Sequence, residues 1–132
     1  MNFNIKKKNI YSAGILPFQI NESNQVFILL GKDEKGDWSD FGGRCELSDN
    51  NNILKTASRE FFEETLNSVM YIDNTYDMLK NEDNFKMVIS NTLNGSPYYM
   101  FILRMPMKEY NQRDRFKKIY EFLKYTKSEL KY

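Results

Sequence analysis

Histidine is absent from the 132 residues. That removes Ser-His-Asp and Cys-His catalysis, histidine-ligated zinc and a histidine general base. Acid–base work is left to carboxylates, lysines and tyrosines. A single cysteine, Cys45, excludes an intrachain disulfide and suits a reducing compartment; it is expected to be a small packing residue. Apolar runs are short, and none reaches the length of a membrane span. The opening residues have no apolar h-region, since Phe3 and Ile5 are followed at once by Lys6-Lys7-Lys8. The expectation is a soluble, intracellular, cytoplasmic protein with no membrane partner. Charge of either sign is also nearly balanced, at +1 net, so total charge points to no particular partner.

Apolar material, by contrast, is sufficient for a core. Hydrophobic content is 41% and aromatic content 15%, which excludes a wholly disordered chain. The length suits one domain. No repeat or long linker interrupts it, so residues 1–132 read as a single domain, with 1–9 a flexible basic arm. Charge is unevenly placed: residues 108–132 hold eight Lys/Arg against four Asp/Glu. Such a segment can attract phosphates or serve as a solvated helix face.

Periodicity places the elements. Residues 11–18 read as a strand, with Pro17 suggesting an edge position or a strand end. Residues 26–30, Val-Phe-Ile-Leu-Leu, form a continuous apolar run consistent with a buried strand. Residues 32–37 read as a charged turn, and 38–44 as one extended segment ending at the pair Gly42-Gly43. Residues 49–52 form a polar loop able to supply a helix N-cap. A helix is expected over about 53–66. At 100° per residue, Leu54, Ala57, Ser58, Phe61 and Thr65 fall in one arc, and Glu60, Glu63 and Glu64 in the next. Strands follow at 85–93 and 98–105, joined by a turn at Asn94-Gly95. Residues 113–127 read as an amphipathic helix covering the sheet. The order predicts an α/β (α+β) fold with a mixed sheet between helices.

The most informative stretch is Arg59-Glu60-Phe61-Phe62-Glu63-Glu64-Thr65. Its three glutamates are helical neighbours, and like charges at that spacing weaken a helix unless something compensates. A hard divalent cation with oxygen ligands is the natural compensation. Taken alone, such a face is usually only solvated. Here it stands after Trp38, the glycine pair, Glu46 and Asp49.

In that combination the chain resembles the Nudix hydrolase family. The family signature is a glycine, five residues, a glutamate, seven residues, then Arg-Glu-aliphatic-x-Glu-Glu-x-Gly-aliphatic. Gly43 matches the glycine, and Asp49 stands where the family has glutamate. Arg59, Glu60, Glu63 and Glu64 match the charged core, and Glu46 matches an acidic residue common after the glycine pair. The segment 13–17 is similar to the family's first strand. The resemblance spans about residues 10–105. Three departures are visible: nine residues rather than seven separate Asp49 from Arg59, Asp49 is a methylene short, and Leu66 replaces the helix-ending glycine. Asn67 would let the turn move by one residue.

The resemblance implies an α/β/α sandwich and an Mg²⁺-dependent pyrophosphohydrolase (Mn²⁺ as an alternative ion) that cleaves a nucleoside diphosphate linked to another moiety. Glu60, Glu63, Glu64 and the Gly42 carbonyl would be metal ligands. Glu63 or Glu60 would help deprotonate water, and Arg59 would orient a carboxylate. Gly43, Arg44, Glu46, Asp49 and Trp38 would form the substrate-side loop, although for Trp38 core packing is the expected role. A small phosphorylated molecule, expected to be a nucleotide, is the leading substrate. Capped RNA or an inositol pyrophosphate is an alternative that suits the basic C-terminal segment. A non-catalytic nucleotide-binding module is a further alternative.

Overall fold

A computed structural model describes residues 10–33, 35–66, 70, 72–106, 117, 118 and 121. Its sheet is organised around β1 (Ser12–Ile20). On one side β1 runs parallel to β7 (Pro97–Arg104). On the other it meets two antiparallel partners in succession. β5 (Phe41–Arg44) pairs with Ser12 to Ile15, and β2 (Val26–Ile28) pairs with Phe18 to Ile20. β6 (Phe85–Asn91) completes a five-stranded mixed sheet by pairing with β7. β3 (Gly31–Lys32) and β4 (Trp38–Ser39) form a separate two-stranded ribbon. The fold is mixed α/β, with two α-helices among the described residues.

Pro17 is not at an edge. It lies inside β1, paired with Leu103 of β7 and almost fully buried. Its carbonyl accepts from the Leu29 N–H at 3.0 Å, so its nitrogen faces the same side. That side is the junction between the two partners, after the β5 pairing ends and before the β2 pairing begins. No ladder bond is required there, and the missing donor is tolerated.

The apolar run 26–30 is likewise not a buried strand. Val26, Phe27 and Ile28 are all exposed. β2 is an edge strand held only through the far end of β1, and Leu29 alone reaches the core margin. Nor is 38–44 a single strand. It breaks at Asp40, so β4 and β5 belong to different sheets.

One face of the sheet carries the core. Ala13, Ile15 and Pro17 of β1 and Phe101 and Leu103 of β7 alternate into it, together with Cys45. α1 (Ile53–Thr65) lies on that face and buries Thr56, Ala57, Ser58, Phe61 and Thr65. Phe61 is fully buried and meets Phe41 of β5 edge-on, 5.5 Å between ring centres. This contact clamps the acidic helix to the strand that carries the glycine pair. α2 (Ile72–Leu79) packs on α1. It was not expected, although Ile72, Thr75, Tyr76 and Leu79 follow helical spacing.

The ends of α1 are written locally. Asn52 is the N-cap, its Oδ1 accepting from the N–H groups of Leu54 and Lys55. Asn50 and Asn51 before it both take left-handed backbone, at φ 53° and 57°, which asparagine tolerates better than most residues. The extra lead-in length is absorbed there. At the other end the left-handed turn is not displaced: Leu66 itself adopts it, φ 52° and ψ 39°, and its N–H bonds the Phe62 carbonyl. A leucine is strained in this region, where glycine is not. Leu66→Gly is therefore expected to stabilise the protein by about 1 kcal/mol. A raised denaturant midpoint with unchanged slope would show it, and an unchanged midpoint would contradict it.

Lys117, Lys118 and Glu121 are helical. The rest of the helix expected at 113–127 lies outside the described residues, as does the arm at 1–9. Among the described residues no helix is long and apolar enough to cross a membrane.

Candidate functional site

Arg59 is the hub of the site. Its Nε and Nη2 donate to the two carboxylate oxygens of Asp49, each at 3.0 Å, in a bidentate fork. Nη2 also reaches the Arg44 carbonyl at 3.0 Å. Nη1 donates to Glu60 Oε1 at 2.9 Å and to Glu63 Oε2 at 3.2 Å, with Glu46 Oε1 at 3.5 Å. One guanidinium thus ties the lead-in loop, β5 and two of the three helix glutamates together.

Asp49 is only 3% exposed. Besides Arg59 it accepts from Thr56 Oγ1 at 2.9 Å and from the Glu46 backbone N–H at 2.9 Å. Thr56 in turn bonds the Tyr11 hydroxyl at 2.7 Å. Burial alone would push the Asp49 carboxyl up, but these hydrogen bonds prevail and hold it below the usual carboxylate range. The Arg59 guanidinium is raised, first by its bond to Asp49. Asp49 therefore acts on the inner side of Arg59, fixing the loop to the helix.

The outer side is an acidic edge. Two successive glycines bring the backbone of β5 against it. Gly43 lies on the Glu60 carboxyl so closely that a Cβ there would come within 2.6 Å. Gly42 points the other way. Cys45 N–H donates to the Tyr11 carbonyl, and hydrogen-bonded pairs alternate along an antiparallel ladder. The N–H and C=O of Gly42 consequently face away from β1, and the N–H lies toward the Glu64 carboxyl, which it draws down against the larger effect of burial.

Glu64 counts as exposed over the whole residue, yet its carboxyl is pushed up to about 7. Burial comes first among the causes, followed by Glu60, Asp40 and Glu63. Glu60 is also raised, first by burial, against the pull of Arg59. Neighbouring acids thus add to burial in raising both carboxyls. Among the described residues no three acidic side chains already form a cation cage; Glu60 and Glu63 are turned onto Arg59.

Two participants were not foreseen. Asp40, where β4 gives way to β5, accepts from the Tyr98 hydroxyl of β7 at 2.7 Å. Burial is the first cause raising both the Asp40 and the Tyr98 side chains. A local signal existed in Gly14 and Gly42, glycines inside strand patterns, which mark close approach. The identity of the approaching residue depends on the β1–β7 register, which no local pattern encodes.

Trp38 is corrected. It is 62% exposed rather than packed in the core, with Lys32 Nζ 5.3 Å from its ring centre. The two-stranded ribbon that carries it lies outside the main sheet, which explains the exposure. Arg44 enters the site through its carbonyl. No family model matches this chain, and no curated protein matches it.

Proposed function

We propose that this chain is an Mg²⁺-dependent pyrophosphohydrolase of the Nudix type, with an α/β/α sandwich fold, acting on a nucleoside diphosphate linked to another moiety. One observation carries the reading: the acidic face of α1 lies beside a glycine strand whose backbone meets two of its glutamates, Gly43 on the Glu60 carboxyl and the Gly42 N–H toward Glu64.

The donor set fits a hard divalent cation. Every available ligand is an oxygen, and the raised Glu60 and Glu64 carboxyls are those a dication would return to the ionised form. Glu60, Glu63, Glu64 and the outward Gly42 carbonyl would hold it. When bound, Mg²⁺ neutralises phosphate oxygens and lowers the pKa of a coordinated water. The chain's own residues supply the rest. Arg59 holds Glu60 and Glu63 in register while Asp49 holds Arg59. Glu63, with about half its side chain exposed against 13% for Glu60, has the better access to water and is assigned the proton-accepting role. The glycine pair leaves room on β5 for the Glu60 carboxyl over Gly43 and the Tyr98 hydroxyl over Gly42, which a side chain at either position would displace.

The test is a panel of nucleoside triphosphates, dinucleoside polyphosphates, nucleotide sugars and capped RNA, incubated with Mg²⁺ and analysed for products. Cleavage at a pyrophosphate bond is expected for at least one class. If no compound is cleaved although Mg²⁺ stabilises the protein, the site is a binding module instead.

A further inference from the structure

Tyr98 and Asp40 are 58 positions apart and are joined across three strands. Tyr98 sits on β7 opposite Ser12 of β1, and Gly14 of β1 is paired with Gly42 of β5. The tyrosine hydroxyl lies over this glycine pair. A Cβ on either glycine would run into it, and one on Gly14 would also lie 2.7 Å from the Asp40 carboxylate. The slot therefore requires both glycines, and it delivers one hydroxyl to one carboxylate. Asp40 is the residue at which the chain leaves the β3–β4 ribbon and enters β5. Holding it fixes where β5 begins. Two residues later β5 carries the backbone that meets Glu64 and then Glu60.

We propose, resting on the reading of the acidic edge as a cation site, that Tyr98 and Asp40 form a positioning pair for it. The Tyr98 hydroxyl pins Asp40 and so seats Gly42 and Gly43 at the distance from Glu64 and Glu60 that cation binding needs. Neither residue is assigned contact with substrate. The pair acts through β5, as outer groups that orient metal ligands do in general.

The pair is tested by Mn²⁺ binding, read from the paramagnetic resonance signal of unbound Mn²⁺, alongside melting temperature. Tyr98→Phe keeps the ring and removes only the donor. It is expected to weaken Mn²⁺ binding by about ten-fold or more, with little change in melting temperature. Asp40→Asn keeps an oxygen that can accept from Tyr98 and is expected to hold most of the wild-type affinity. Asp40→Leu removes the acceptor and is expected to match Tyr98→Phe. Wild-type affinity in Tyr98→Phe would overturn the proposal. So would an Asp40→Asn variant as weak as Asp40→Leu, because the charge of Asp40, not its hydrogen bond, would then be what acts. Should Tyr98→Phe melt far below the wild type, the two Asp40 variants decide alone. A wild-type protein that takes up no Mn²⁺ would instead remove the cation site itself, a result distinct from either of these.

Discussion

Arg59→Ala is expected to destabilise the protein by about 3–5 kcal/mol, because it strands a buried carboxylate that had been paired. Asp49 is almost wholly enclosed, and Arg59 supplies two of its hydrogen bonds. The surface partners of Arg59 matter far less: Glu46 and Glu63 are about half exposed and such pairs contribute little. The pH dependence separates the two contributions. In the wild type the Asp49 carboxyl is held below its ordinary value. Its stabilisation is therefore present above the unfolded value of about 3.9 and is lost as the pH falls through the lower folded value. Without Arg59, burial dominates and the carboxyl moves up. Its contribution is then greatest below the unfolded value and declines as the pH rises. Denaturant unfolding should show the gap between variant and wild type narrowing on acidification from neutrality. A gap of under about 1 kcal/mol at neutral pH would place Asp49 outside the stabilising network.

Glu60→Gln is expected to lower kcat by roughly 10³-fold, equivalent to about 4 kcal/mol of transition-state stabilisation, on any substrate the protein cleaves. The amide oxygen of glutamine can still accept from Arg59 Nη1, and its shape still fits over Gly43. The fold should therefore persist, with the melting temperature close to that of the wild type. What disappears is one anionic oxygen of the proposed cation site, at the less exposed of the two helix glutamates that Arg59 holds. A rise in KM with unchanged kcat would assign Glu60 to substrate binding alone.

Local signals carried most of α1. Its start at the asparagine loop, its buried arc and its acidic arc all follow from residue type and spacing, and the Asn94-Gly95 hairpin turn follows from Gly95, which adopts φ 81°. Arg59 reaching back to the loop acids was legible because Asp49 and Glu46 precede the helix by a short tether. Other features depend on pairing that spacing cannot encode. The apolar run 26–30 has the composition of a buried strand, but its place at the sheet edge is decided by which half of β1 it meets. Pro17 escapes the edge rule because two partners share one side of β1. Tyr98 enters the site only through the parallel register with β1. Leu66 in the left-handed turn shows the helix stop outweighing a local preference.

The most direct measurement is the melting temperature of wild type and Glu60→Gln as Mg²⁺ is added near pH 7.5. A cation held by the α1 carboxylates at ten times its dissociation constant stabilises the folded state by about 1.4 kcal/mol, or roughly 5 °C for a chain of this size. That rise is expected in the wild type, with its near loss in Glu60→Gln. A wild-type melting temperature indifferent to Mg²⁺ and Mn²⁺, or an equal rise in both proteins, would contradict the proposed cation site.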